Sequence, residues 1–94
     1  NIKLMKCGCL LEAKRMIETA RKHDLQIMLG CMVESSVGIT AAAHLSPLVD
    51  YADLDGNLLI DNDPYTGVSV LNGQIVLPEG NGLGLEVNNV SGLK

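Results

Sequence analysis

The alternation of apolar and polar residues predicts a strand, a helix and a second strand in the first third of the chain. Residues 2–5 alternate as a short strand, which places Lys3 on the face opposite the apolar residues of that strand. From Leu10 to Lys22 apolar residues recur at helical spacing between charged ones, which indicates an amphipathic helix with one buried stripe. Gln26–Gly30 is nearly continuous in its apolar character, a pattern typical of a strand covered on both faces.

The middle of the chain repeats this order. Ser35 or Ser36 can cap a second helix, which runs through an alanine-rich stretch to Leu45 and ends at Ser46-Pro47. Residues 49–55 then form a third strand, closed by Gly56. Strands that alternate with helices over short connections predict a parallel sheet with right-handed crossovers.

The character of the chain changes after Asp55. Residues 61–64 are typical of a loop, and two apolar runs flank Asn72-Gly73. Asn-Gly supplies the two positive φ angles of a type I′ turn, so residues 68–77 are predicted to form a β-hairpin. Residues 78–94 contain four glycines and are expected to be a loop or an extended tail. We therefore divide the chain into an α/β part, residues 1–60, and a C-terminal loop, hairpin and tail, residues 61–94.

Two architectures fit three parallel strands and two helices: half of a doubly wound sheet, or a sector of a (β/α)₈ barrel. The pattern does not separate them. Both place their chemistry at the C-terminal ends of the strands. The residues to examine are therefore 3–6, 30–36 and 53–56.

Composition narrows the classes of function. Ninety-four residues make at most one small domain, and 47% of them are hydrophobic, which is too apolar for a disordered chain. A net charge of −4 argues against a nucleic-acid partner, which would require a basic surface. No apolar run approaches the roughly 20 residues of a membrane span. Phe and Trp are absent, so the core must be aliphatic.

Three cysteines lie among apolar neighbours. Cys7 and Cys9 could be two soft metal ligands, but neither His23 nor His44 stands at zinc-type spacing from them. We therefore expect Cys7, Cys9 and Cys31 to be buried or half-buried free thiols, which favours a reducing compartment and a cytoplasmic location.

The strand ends carry a resemblance to a known family. Residues 1–8, with the sequence NIKLMKCG, resemble the sixth barrel strand of the muconate-lactonizing subgroup of the enolase superfamily, whose dipeptide epimerases carry N-I-K-L-M-K-x-G-G. Residues 28–35 look like the seventh strand and residues 38–44 like the helix that follows it. Asp53-Leu54-Asp55 falls on the D-x-D of the eighth strand, and residues 75–84 match the closing segment of the family.

The resemblance implies a fold and an activity. The fold would be the C-terminal sector, strands 6 to 8, of an enolase-superfamily (β/α)₈ barrel, with a hairpin and tail that belong with the capping domain. The activity would be that of a metal-dependent dipeptide epimerase, an isomerase that moves the α-proton of the C-terminal residue of a dipeptide such as L-Ala-Glu. By the resemblance, Lys3 is the acid/base on one face of that carbon, in a superfamily that pairs a Lys or His base with Mg²⁺. Asp53 and Asp55 would bind the α-ammonium group of the dipeptide.

The residues themselves leave alternatives open. The pattern alone, without the resemblance, favours a surface lysine at a strand end for Lys3. Asp53 and Asp55 are two apart on a strand, so their carboxylates point to the same face and repel unless a cation lies between them. That cation can be an ammonium group or a metal, and an exposed turn would solvate both acids without either.

The sequence also allows expectations for other polar residues outside the proposed catalytic and binding positions. Glu34 can orient the site or bond within the barrel, and Lys6 is expected to face solvent. His23 is expected to end the first helix and His44 to pack among alanines. Where the family has a second glycine this chain has Cys9, which would be strained if that position needs a positive φ.

The family's Mg²⁺ ligands belong to strands three to five, so the resemblance implies that they are not in this chain. We expect the chain to be part of a longer enzyme and to be inactive alone. Open sheet edges should drive it to pair with the rest of the barrel and the capping domain, or with further copies as a homo-oligomer. Two other functions stay open. One is another reaction of the subgroup, by a cycloisomerase, an o-succinylbenzoate synthase or an N-acylamino-acid racemase. The second is a non-catalytic remnant acting as an assembly module.

Overall fold

The computed structural model describes residues 1–88. Seven short strands and three α-helices follow one another in this part of the chain. They are β1 (Ile2–Lys3), α1 (Leu4–Cys7), α2 (Leu10–Lys22), β2 (Met28–Gly30), α3 (Ser36–Ala43), β3 (Tyr51–Ala52), β4 (Tyr65–Thr66), β5 (Ser69–Leu71), β6 (Gln74–Val76) and β7 (Glu86–Val87). Two 3-10 turns, Ser46–Leu48 and Gly56–Leu59, precede and follow β3. None of the helices in residues 1–88 is long and apolar enough to cross a membrane.

The first three strands form one parallel sheet in the order β1-β2-β3. Ile2 pairs with Leu29 and Lys3 with Gly30. Helix α2 connects β1 to β2, and α3 connects β2 to β3. The predicted alternation of parallel strands and helices is therefore confirmed.

The core lies between this sheet and the two longer helices. Its ten buried residues are all aliphatic and all lie between positions 2 and 54: Ile2, Ala13, Ile17, Ile27, Leu29, Ile39, Ala42, Ala43, Leu45 and Leu54. The predicted stripe of α2 is only partly buried, because Leu10 and Met16 at its edge remain 36% and 39% exposed. Helix α3 contributes Ile39, Ala42 and Ala43 to this core, each at most 3% exposed.

The predicted strand at residues 2–5 is too long, because the chain turns into a helix directly after Lys3. The Gly8 amide donates to the Leu4 carbonyl at 2.9 Å and closes helix α1. Gly8 has φ +96°, a left-handed conformation that favours glycine at the end of a helix. The third strand is also shorter than predicted and is limited to β3.

Cys9 corrects two expectations. Its φ of −163° is extended backbone that any residue adopts, so replacing the family's glycine causes no strain here. The Cys9 sulfur accepts a hydrogen bond from the Glu12 amide at 3.4 Å and caps α2. Cys9 is exposed rather than buried, whereas Cys7 and Cys31 are half-buried, and all three are free.

Residues 61–88 form two small antiparallel pairs of strands. The hairpin of β5 and β6 turns at Asn72 and Gly73, whose φ angles of 51° and 78° confirm the predicted turn. Strand β7 pairs with β4, so the predicted tail contains a strand as well as loop. The rest of that predicted tail, residues 89–94, lies outside the described residues.

Polar contacts connect this C-terminal segment, residues 61–88, to α3. The Thr40 hydroxyl accepts a hydrogen bond from the Val68 amide at 3.0 Å, and Thr40 is fully buried. His44 Nε2 donates to the Leu83 carbonyl at 3.1 Å, as expected of a packed histidine. These contacts dock the segment on α3 and the residue that follows it.

Candidate functional site

One row of residues crosses the sheet where its strands end. Lys3 pairs with Gly30. The Asp53 amide donates to the Leu29 carbonyl at 2.9 Å, which extends the pairing of β2 and β3 by one residue and places Asp53 opposite Gly30. Lys3 and Asp53 therefore lie at one level on either side of Gly30, with backbones about 10 Å apart at normal strand spacing.

The two faces of the sheet differ in chemistry. Ile2, Leu29 and Leu54 are buried against the helices. Because side chains alternate along a strand, Lys3 and Asp53 project from the opposite face. Alternation thus places the hydrophobic core on one face of the sheet, and Lys3 and Asp53 at the strand ends of the opposite face, which we call the polar face.

Gly30 makes room on the polar face. A Cβ atom added at Gly30 would lie 2.7 Å from Asn1 Oδ1 and 3.2 Å from Lys3 Cε. The side chains of Asn1 and Lys3 therefore extend across the place where any larger residue would project. This function of Gly30 was not predicted, although a glycine at the end of a buried strand is a signal for a close approach.

Asp53 and Asp55 flank the buried Leu54 and are both exposed. The alternation agrees with the expectation that both carboxylates share one side of the chain. Asp55 Oδ1 lies 3.9 Å from the sulfur of Cys31, a long thiol contact that joins the end of β2 to the end of β3. The contact with Cys31 could not be predicted, because it joins residues 24 positions apart.

The loop after β2 packs directly on the segment that contains the two aspartates. The Met32 carbonyl lies so close to Gly56 that a Cβ atom there would overlap it. Glu34 Oε2 accepts a hydrogen bond from the Met32 amide at 3.0 Å, which fixes the shape of this loop. Glu34 therefore bonds within the loop.

The remaining polar residues lie apart from the row. Lys6 is exposed on α1. His23 ends α2 and its Nδ1 bonds to the Thr19 carbonyl at 2.9 Å. Residues 1–88 contain no group of three His, Cys, Asp or Glu side chains that could hold a metal.

The arrangement combines one amine and two carboxylates at the C-terminal edge of a parallel sheet. A lysine at such an edge can transfer protons, and a pair of exposed carboxylates can bind a cationic group. In (β/α)₈ barrels this edge carries the active site.

The fold and the residues at this edge of the sheet point to one protein family. Residues 1–91 match the family model described as enolase C-terminal domain-like. The chain belongs to this family. The predicted fold class, a sector of an enolase-superfamily barrel, is confirmed.

Several relatives are dipeptide epimerases. The chain is 52% identical over 85 residues to the L-Ala-D/L-Glu epimerase of Bacteroides thetaiotaomicron, covering 90% of this chain and 22% of that protein. It superposes with a TM-score of 0.86 and 40% identity on the Methylococcus capsulatus dipeptide epimerase complexed with Mg and the dipeptide L-Arg-D-Lys, covering 94% and 26% of the two chains. The N-succinyl Arg/Lys racemase of Bacillus cereus is similar at a TM-score of 0.85 and 34% identity, covering 94% and 24%. The chain thus spans about a quarter of the length of these relatives.

Proposed function

We propose that this chain is the C-terminal part of a metal-dependent dipeptide epimerase. In this proposal Lys3 moves the α-proton on one face of the C-terminal residue of a dipeptide such as L-Ala-Glu. Asp53 and Asp55 bind the α-ammonium group of the same substrate.

The row Lys3, Gly30, Asp53 carries the proposal. The backbones of Lys3 and Asp53 lie about 10 Å apart on either side of a residue without a side chain. A dipeptide has its ammonium group several bonds away from the α-carbon of its second residue. A substrate lying over Gly30 can therefore present its ammonium group to the aspartates and its second α-carbon to Lys3.

The proposal includes Mg²⁺ held by residues outside this chain. The superfamily's metal stabilises the negative charge that develops on the substrate carboxylate when the α-proton leaves. Support comes from the Methylococcus capsulatus relative, which was crystallised with Mg.

The proposal also includes partners and a location. The outer edges of β1 and β3 have no neighbouring strand among residues 1–88. This favours pairing with the rest of a barrel and its capping domain, and assembly into a homo-oligomer. Three free cysteines favour a cytoplasmic location.

A chimera tests the proposal. The chain replaces the corresponding segment of the Bacteroides thetaiotaomicron epimerase, and the purified protein is assayed with Mg²⁺ and L-Ala-L-Glu. We expect epimerisation, together with exchange of the α-proton for deuterium in D₂O. A folded chimera that neither epimerises the dipeptide nor exchanges its α-proton would contradict the proposal.

The aspartate pair separates the proposal from an N-acylamino-acid racemase. An N-acyl group removes the positive charge that Asp53 and Asp55 are proposed to bind. In the chimera, Asp53→Asn with Asp55→Asn should lower kcat/KM for the dipeptide by roughly a hundredfold, the scale of two lost charged contacts. Faster turnover of N-succinyl amino acids than of dipeptides by the unmodified chimera would favour the racemase instead.

A further inference from the structure

A single carboxylate in the C-terminal segment accepts three hydrogen bonds, two of them from the first residue of α3. Asp63 Oδ2 accepts from the Ser36 amide at 2.7 Å and from the Ser36 hydroxyl at 2.5 Å. Asp63 Oδ1 accepts from the Tyr65 amide at 3.2 Å. Both oxygens of this half-buried side chain are therefore engaged.

Ser36 connects Asp63 to the loop after β2. It is the first residue of α3 and is only 6% exposed. A negative charge is favourable at the N-terminus of a helix, where amides lack partners within the helix. The Asp63 carboxylate therefore fixes the point at which the loop containing Met32 and Glu34 enters α3.

Asn57 connects the same point to the segment after β3. Its Nδ2 atom lies 3.5 Å from the Ser36 hydroxyl oxygen, which already donates to Asp63. Asn57 belongs to the 3-10 turn Gly56–Leu59, which begins directly after Asp55. The loop after β2 and the segment after β3 thus meet at Ser36, which Asp63 holds, and they also meet where Met32 packs on Gly56.

We propose that Asp63 is a positioning residue for the candidate site, acting through Ser36 and Asn57 on the placement of Asp53 and Asp55. The role in catalysis rests on the proposed function. Within residues 1–88 the Asp63 side chain bonds to Ser36 and Tyr65 and not to Lys3 or either aspartate, so its loss should weaken substrate binding and leave proton transfer largely intact.

The kinetic test compares Asp63→Asn with Asp61→Asn in the chimera. Both changes remove one negative charge from the same loop, but Asp61 is exposed and has no side-chain hydrogen bond within residues 1–88. We expect Asp63→Asn to raise KM for L-Ala-L-Glu roughly tenfold, the effect of one lost charged hydrogen bond, with kcat nearly unchanged. Asp61→Asn should leave both constants as they are.

A second measurement does not require the protein to be catalytically active. The Cys31 sulfur lies 3.9 Å from Asp55 Oδ1, so the reaction of this thiol with iodoacetamide reports whether the two site loops stay together. Trypsin cleaves after Lys22 and then at no position before Lys94, so Cys31 is the only cysteine of its peptide and its labelling can be followed by mass spectrometry. Asp63→Asn should speed this labelling several-fold, and Ser36→Ala should do so to a smaller degree.

The outcomes separate the two proposals. Unchanged labelling of Cys31 in Asp63→Asn, or equal effects of Asp63→Asn and Asp61→Asn, would overturn the positioning role. If labelling responds as expected but the chimera does not turn over dipeptides, the tether through Asp63 is supported and the epimerase assignment fails. Should Asp63→Asn fail to fold, Ser36→Ala carries the test, and normal labelling in that variant would overturn the role.

Discussion

The barrel sector, residues 1–60, and the C-terminal segment, residues 61–88, are held in place by different forces. All ten buried apolar side chains among residues 1–88 lie in the barrel sector. The C-terminal segment contributes only partly buried side chains to that core, namely Val68, Ile75 and Leu77. It is located instead by directed hydrogen bonds to the buried or half-buried residues Ser36, Thr40 and His44.

The comparison shows that stability and the exact placement of side chains come from different parts of the molecule. Burial of apolar surface stabilises the barrel sector but has no direction, whereas a hydrogen bond to a buried partner fixes one geometry. The proposed reacting groups project from the sector with the large core. The segment without a core supplies Asp63, whose proposed role is to hold those groups in place.

The largest effect should come from Lys3. Lys3→Ala in the chimera should lower the epimerisation rate by about 10² to 10⁴, the usual contribution of a positioned acid or base. Deuterium exchange into one epimer of L-Ala-Glu should disappear. Exchange into the other epimer should persist, because its α-proton is removed on the opposite face of the α-carbon.

Lys6→Ala is the matched control, because Lys6 is an exposed lysine three residues further along the chain. It should leave both rates near those of the unmodified chimera. If the two lysine variants lose activity equally, or if Lys3→Ala retains exchange of both epimers, the proposed role of Lys3 is wrong.

A pair of leucines compares the two regions directly. Leu29 is 0% exposed in β2, whereas Leu71 is 65% exposed in β5. Leu29→Ala should reduce the free energy of unfolding by about 2–5 kcal/mol, because it removes buried methyl groups and leaves a cavity. Leu71→Ala should change it by less than about 0.5 kcal/mol. Urea denaturation of the chimera measures both, and equal losses would show that the hairpin has a core of its own.

Thr40 tests the polar attachment of the C-terminal segment. Thr40→Val keeps the shape of the side chain but removes the acceptor of the Val68 amide, so it should cost about 1–3 kcal/mol for an unsatisfied buried donor. Thr40→Ser removes the methyl group but keeps the hydroxyl that accepts from the Val68 amide, so it serves as the control. Hydrogen exchange at the Val68 amide should accelerate in Thr40→Val alone, and comparable exchange in both variants would argue against this tether.

The smallest effect is expected for Asp50, whose carboxylate makes polar contacts at the opposite end of the strands from the site. The Ile27 amide at 2.8 Å and the Arg21 guanidinium at 2.7 Å lower the pKa of Asp50 below its ordinary value of 3.8. A lowered pKa in the folded state means that the carboxylate stabilises the protein above the ordinary pKa, and that this stabilisation is lost as the pH falls through the folded pKa.

Asp50→Asn should therefore lower Tm slightly at neutral pH, by an amount that shrinks as the pH falls below about 4. Thermal unfolding of the chimera at several pH values measures this, with Asp61→Asn as the control for charge. A Tm difference that is independent of pH down to about pH 2 would contradict this interpretation of the pKa.

Local sequence determined the order of the helices and strands and which side of each one faces the core. The spacing of Ala13 and Ile17 specified the buried stripe of α2, and Asn72-Gly73 specified the turn of the hairpin. The alternation of Ile2 and Lys3 separated the core face from the polar face. These features depend on the side-chain periods of helix and strand and on backbone φ preferences, which are properties of neighbouring residues.

Tertiary structure decided the contacts that no local pattern encodes. Strand β1 stops at Lys3 because α1 begins there, and Gly30 matters because Asn1 and Lys3 extend over it from the neighbouring strand. Asp63 reaches Ser36 across 27 positions of the chain. Sequence alone makes Asp61 and Asp63 equivalent loop acids; only the packing of the C-terminal segment on α3 brings Asp63 against the unpaired amides of a helix N-terminus.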